Sequence, residues 1–112
     1  MTIEKGPADV RAGLFGGRGA VRVWSLLRGA AEPFTAVLSC ELEPGGSVGR
    51  HVQEAFPEIV VGLEGEGEAT VDGEPRPLGG GDVVYLPLGS VLAIENRSSE
   101  RPLAYLIVKA RS

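Results

Sequence analysis

The stretch that decides the fold is GGSVGRHVQEAFPEIVVGLEG, residues 45–65. It holds the only histidine of the chain, His51, followed two positions later by Gln53, and a glutamate, Glu58, that opens an apolar run. Alternate side chains of a β-strand share a face, so His51 and Gln53 are predicted to lie on one face and Val52 on the other. The stretch therefore predicts a polar group of side chains carried by two successive strands.

Short apolar runs of the same kind continue along the rest of the chain. Each is rich in β-branched or aromatic residues and is bounded by Gly, Pro, Asp or Asn. The dipeptide Asp72-Gly73 is a β-hairpin signal. The predicted strands are 20–27, 34–43, 48–53, 58–64, 68–73, 82–88, 91–96 and 103–110. Many short strands at near-regular spacing predict an all-β sandwich or barrel with little helix.

The length of 112 residues predicts a single domain. Residues 1–12 are predicted to form an N-terminal arm or a short edge element, and residues 13–112 the barrel domain. The glycine cluster GLFGGRGA at 13–20 lacks the Lys-Ser/Thr ending of a phosphate-binding loop and runs into a strand, so it predicts a flexible turn.

Composition excludes several classes of partner. The net charge is −4 and the chain has no basic stripe, which argues against nucleic acid and anionic membrane. No apolar run reaches the roughly 18 residues of a membrane span. The single cysteine, Cys40, cannot form an intramolecular disulfide, and alternation places it on an apolar face. These features predict a cytoplasmic protein.

Two groups of residues together resemble the two motifs of the cupin superfamily. The first group keeps the glycine, histidine, glutamate and glycine of the motif at Gly45, His51, Glu58 and Gly65. The second keeps its glycine, proline, glycine and asparagine at Gly81, Pro87, Gly89 and Asn96. The resemblance implies a small single-domain cupin with a type-2 conserved barrel, a single antiparallel β-barrel or jelly roll.

The resemblance also implies where ligands of a metal ion would lie. In metal-binding cupins the four corresponding positions usually hold three histidines and one glutamate, and here they are His51, Gln53, Glu58 and Leu92. Transition metals at such sites depend on imidazole or thiolate ligands. We therefore expect no resident cofactor, or at most a divalent metal held weakly by His51, Gln53 and Glu58.

Two classes of function stay open. The first is a small-molecule-binding barrel with a degenerate metal site, in which the ligand contacts His51, Gln53, Phe56, Glu58 and Leu92. The second is a small enzyme acting on a polar metabolite, as an isomerase, epimerase or oxygenase. It would depend on a metal or use His51 and Glu58 as a catalytic acid–base pair. A purely structural hydrogen bond between these two side chains is the alternative to both.

A homodimer is expected from the strand at 20–27. This strand is apolar on both faces, and an edge strand of that kind needs a cover or a partner. Small cupins often pair, so the resemblance implies the same assembly.

Overall fold

The computed structural model describes residues 2–111, and these form ten β-strands with one short 3-10 turn at Leu14–Gly16. Every strand pair is antiparallel. The strands are β1 (Asp9–Ala12), β2 (Ala20–Ser25), β3 (Phe34–Leu42), β4 (Ser47–Val52), β5 (Glu58–Glu64), β6 (Glu66–Val71), β7 (Glu74–Gly79), β8 (Val83–Leu86), β9 (Val91–Asn96) and β10 (Leu103–Ala110).

The strands form two sheets. One has six strands in the order β1-β2-β3-β10-β5-β8, and the other has four in the order β4-β9-β6-β7. From β3 to β10 the chain passes back and forth between the sheets, which is the jelly-roll arrangement. The all-β fold class predicted from the sequence is confirmed.

The eight predicted strands are all observed, and the structure adds two more: β1, within the predicted arm or edge element, and β7. Strands β5, β9 and β10 begin and end where the apolar runs predicted them. Strand β7 was not predicted because its sequence EPRPLG contains Pro75 and Pro77. Proline cannot donate to a ladder and is confined to sheet edges, and β7 is one of the two edge strands of the four-stranded sheet.

The predicted hairpin at Asp72-Gly73 joins β6 to β7. Asp72 has φ 50° and Gly73 has φ 84°, so both central residues lie in the left-handed region that a type I′ turn requires. The hairpin prediction is confirmed.

The N-terminal segment contributes β1, which pairs with β2 along residues 9–12 and is exposed throughout. Residue 1 of the predicted arm and residue 112 of the predicted domain lie outside the described residues. Strand β2 lies between β1 and β3, so the expectation that it is an uncovered edge strand is wrong. Its apolar side chains Val21, Val23 and Trp24 are buried within the chain itself.

The hydrophobic core lies between the two sheets. Its side chains come from the inward faces of strands in both, among them Val21, Val60, Leu78, Leu86, Ile94 and Leu103. Among residues 2–111, no helix is long and apolar enough to cross a membrane.

Candidate functional site

A cavity of about 130 Å³ lies between the two sheets, and we call it the cup. Its inner wall is apolar and continuous with the core. Polar and charged side chains reach it from four strands: Arg11 of β1, His51 of β4, Glu58 of β5 and both Tyr105 and Lys109 of β10. The cup therefore combines a small apolar floor with a group of ionisable side chains.

A β-bulge aims His51 into the cup. Val48 pairs with Ile94 of β9 and His51 pairs with Leu92, so three steps along β4 match only two along β9. Without the extra residue, alternation from the buried Val48 would turn His51 away from the interior. The bulge restores the inward direction that simple alternation would lose.

The imidazole of His51 is fixed from two sides. Its Nδ1 lies 2.9 Å from the carbonyl oxygen of Gly49. A carbonyl only accepts hydrogen bonds, so Nδ1 carries the hydrogen and Nε2 is the acceptor of the neutral ring. The Phe15 ring stacks on the imidazole with centroids 4.1 Å apart and an interplanar angle of 11°.

The 3-10 turn that carries Phe15 packs backbone against backbone on β4. A Cβ atom added at Gly49 would overlap the carbonyl of Phe15, and one added at Gly17 would overlap the carbonyl of Ser47. Phe15 has φ 52°, which is uncommon for a residue other than glycine, and its side chain remains 56% exposed. The glycine cluster that predicted a flexible turn thus allows a close-packed rim beside His51.

Glu58 is held inside the cup by Lys109. The two residues are ladder partners on β5 and β10, and Lys109 Nζ lies 3.7 Å from Glu58 Oε1. The Glu58 side chain is only 2% exposed, whereas that of Lys109 is 34% exposed. Burial raises the pKa of the Glu58 carboxyl, and the nearby ammonium offsets this only in part.

Cys40 and Tyr105 form a neutral part of the cup wall. They face each other across β3 and β10, and both line the cup. Burial raises the pKa of the Cys40 thiol to about 12 and raises that of the Tyr105 hydroxyl well above its ordinary value. Both groups stay protonated at neutral pH. The prediction that Cys40 lies among apolar side chains agrees with its place in the core.

The structure divides the sequence-predicted site residues into two places. His51, Glu58 and Leu92 all line the cup, with Leu92 1% exposed and directly opposite His51. Gln53 and Phe56 instead line a neighbouring surface pocket of about 500 Å³, to which His51 and Lys109 also contribute.

Gln53 and Phe56 have their own surroundings in that pocket. The backbone of Gln53 bonds to the end of the loop before β9, through Ser90 O and Gly89 N. Its side-chain Nε2 is buried without a hydrogen-bond partner. The Phe56 ring lies beneath the guanidinium of Arg111, with 5.8 Å from Cζ to the ring centroid.

The donor set of the cup does not fit a transition-metal centre. Within residues 2–111 no three His, Cys, Asp or Glu side chains are grouped closely enough to hold an ion. Leu92 presents methyl groups beside His51, and Glu58 is already paired with an ammonium. Such ions need imidazole or thiolate ligands for affinity.

Sequence reasoning missed the two cations of the cup, Arg11 and Lys109. Both come from strands outside the two motifs, and only the closure of the six-stranded sheet brings them to the same cavity. A signal for Lys109 was present, because alternation along β10 puts it on the same face as Tyr105 and Ile107. A lone lysine on the inward face of an apolar strand marks a candidate site residue.

Comparison with known proteins gives a family. The family model described as "Cupin domain" matches residues 38–109. A Thermotoga maritima protein named oxalate-binding protein is 39% identical over 83 residues, which cover 72% of this chain and 69% of that protein.

Solved structures are similar over nearly the whole chain. The crystal structure of a predicted oxalate decarboxylase from Thermotoga maritima superposes with a TM-score of 0.87 and 30% identity, over 95% of this chain and 93% of that one. A cupin 2 conserved barrel domain protein from Salinispora arenicola gives a TM-score of 0.69 and 29% identity, over 96% and 89% of the two chains. The resemblance carried by the two motifs is thereby confirmed, and the chain belongs to the cupin domain family.

Proposed function

We propose that this protein is a small-molecule-binding cupin whose metal site is degenerate. The observation that carries the proposal is the pairing of His51 with Leu92 in the wall of an otherwise well-formed cup. The glycines and the proline that shape the cup are present, whereas an apolar side chain stands where the resemblance implies an imidazole. The cavity is present and the full set of metal ligands is not, which favours binding in the cavity over metal chemistry.

The size of the cup limits the ligand. A cavity of roughly 150 Å³ accepts benzene, a molecule of about six non-hydrogen atoms. The cup, at about 130 Å³, therefore takes a ligand of similar or smaller size. The relative named oxalate-binding protein supports a small organic acid as the class to test first.

Within this proposal each predicted residue has a place. His51 and Glu58 present polar groups to the ligand and Leu92 supplies an apolar wall, because all three line the cup. Gln53 and Phe56 line the neighbouring pocket beside His51 and contact a ligand as it enters or one that extends out of the cup.

The experiment is an NMR titration with small acids in the presence of a chelator. Binding in the cup shifts the resonances of residues on its wall, and Leu92→Phe abolishes the shifts because a larger ring fills the cavity. Leu88→Phe is the matched control, since Leu88 is 49% exposed and lies outside the lining of the cup. Unchanged titrations in Leu92→Phe would contradict binding in the cup.

The second candidate function is enzymatic, and the environment of Glu58 favours it. A carboxyl whose pKa is raised by burial stays protonated to higher pH and can serve as a general acid. With His51 on the same cavity, an acid–base isomerisation or the conversion of oxalate and a proton to formate and carbon dioxide is the reaction to test. Carbon-13 NMR of labelled oxalate measures the latter, and turnover abolished by Glu58→Gln would favour this candidate over simple binding.

A homodimer belongs to the proposal as well. The outer face of the six-stranded sheet carries exposed apolar side chains, and Ile59 and Tyr85 are ladder partners on neighbouring strands there. The exposed apolar side chains of this proposed contact face are Phe34, Ile59, Val83 and Tyr85. A second copy that packs on this face would remove this apolar surface from water.

A further inference from the structure

Two cationic side chains line the cup, but only one carboxylate is present there to balance their charge. Arg11 and Lys109 both line the cavity, as does the buried Cys40. Glu58 is the anionic side chain among those that line the cup. The formal charge of these groups is therefore +1 when Glu58 is ionised.

The two cations differ in what already binds them. Arg11 Nε donates to Asp9 Oδ2 at 2.9 Å, and both side chains are more than half exposed, so water screens this pair. Lys109 faces Glu58 at 3.7 Å, a distance too long for a good hydrogen bond. The ammonium has three donors. Donors of both cations thus remain free for another acceptor.

We propose that the cup binds the anion of a small carboxylic acid without a metal ion, through the ammonium of Lys109 and the guanidinium of Arg11. This rests on the proposed function, that the cup is a binding site, and adds the charge of the ligand and the residues that recognise it. A carboxylate accepts charge-assisted hydrogen bonds from both groups. These bonds gain strength beside an apolar wall, where the effective dielectric constant is lower than in water.

The wall around these cations sets the size of the acid. Leu38, Leu92 and Ile107 line the cup without offering any polar side-chain atom, so a polar extension of the ligand finds no partner there. Glu58 disfavours a second carboxylate on its side of the cup while it is ionised. The site therefore selects compact acids whose charge lies next to Lys109.

The test compares oxalate with oxamide, its neutral diamide of the same shape, by calorimetry in excess chelator. The wild-type protein binds oxalate and binds oxamide at least tenfold more weakly. Lys109→Gln lowers oxalate affinity by about ten- to a hundredfold, the size expected for hydrogen bonds to charged groups. Arg22→Gln is the matched control, because Arg22 lies on β2 next to Val21, the ladder partner of Arg11, and contacts Glu41, away from the cup. It leaves both affinities unchanged.

A second variant predicts a change of opposite sign. Glu58→Gln removes the carboxylate that competes for Lys109, so oxalate affinity rises while oxamide affinity does not. If oxamide binds as tightly as oxalate, or if Lys109→Gln and Glu58→Gln leave oxalate affinity unchanged, the anion proposal is overturned and the cup remains a binding site. If neither an acid nor an amide shifts the NMR resonances of residues that line the cup, both the anion proposal and the proposed binding function are contradicted.

Discussion

The double variant Gln53→His with Leu92→His tests whether the cup is a degenerate metal site. Leu92 is the direct ladder partner of His51, and directly opposed residues have Cβ atoms about 4.5–5.5 Å apart. An imidazole introduced at position 92 therefore lies within reach of the same ion as His51 and Glu58. Position 53 adds a third imidazole if its side chain turns from the neighbouring pocket toward the cup.

The size of the effect follows from burial. Leu92 is 1% exposed, so its replacement forfeits about 1.5–3 kcal/mol of apolar burial. Burying an unpaired imidazole adds about 1–3 kcal/mol. Without metal the variant should thus lose roughly 3–6 kcal/mol of unfolding free energy. A metal ion at a concentration a thousandfold above its Kd raises the unfolding free energy by about 4 kcal/mol, which corresponds to about 16 °C in Tm for a domain of this size.

Thermal unfolding measures both effects: the loss of stability in the presence of a chelator and the rise in Tm on addition of nickel. The wild type and the single variant Leu92→His are measured as controls under the same conditions as the double variant. The wild type should show no nickel-dependent rise in Tm beyond a few degrees. A double variant that gains nothing from nickel would mean that the four side chains do not converge. Tight stoichiometric metal in the wild type would contradict the degenerate-site interpretation.

Three further predictions concern Cys40, the proposed dimer face and Glu58. Cys40, buried and with a pKa raised to about 12, should resist alkylation at pH 8 and react only in denaturant; rapid native labelling would contradict this. Light scattering should give a dimer, and Tyr85→Glu should give a monomer, because it places a charge on the proposed contact face; a monomeric wild type would refute the assembly. The raised pKa of Glu58 stabilises the fold below the unfolded pKa of about 4.5 and loses this contribution as pH rises through the folded value. Urea unfolding should therefore favour the wild type over Glu58→Gln more at pH 4 than at pH 7.5; an equal difference at both would contradict it.

The fold was predictable because its signals are local. Asp72-Gly73 favours a type I′ turn, and the runs at 58–64, 91–96 and 103–110 are apolar enough to be predicted as strands by themselves. Strand β7 escaped prediction because its prolines are permitted only by its position at a sheet edge. Edge position depends on the whole sheet order, which no local window contains.

The site was predictable only for the residues that the motif spacing fixes. His51, Glu58 and Leu92 line the cup as expected, but the inward direction of His51 depends on a bulge that its own strand sequence does not reveal. Arg11 and Lys109 join them from opposite ends of the chain. Their approach results from pairing of distant strands, so it could be found only after the sheet was known.

Lys109 and a divalent metal ion are alternatives at Glu58, because both are cations that use the same carboxylate. At about 4 Å two unit charges of like sign repel by about 4 kcal/mol at an effective dielectric constant near 20, and a divalent ion doubles this. Lys109 Nζ lies 3.7 Å from Glu58 Oε1, so an ion bound there would meet that repulsion or drive the lysine into solvent. Leu92, on the opposite wall beside His51, offers no ligand atom and therefore lowers the affinity of the site for a metal ion. Both residues act in one direction: Leu92 leaves one ligand position without a donor, and Lys109 supplies Glu58 with a covalently attached positive charge that is present at any metal concentration.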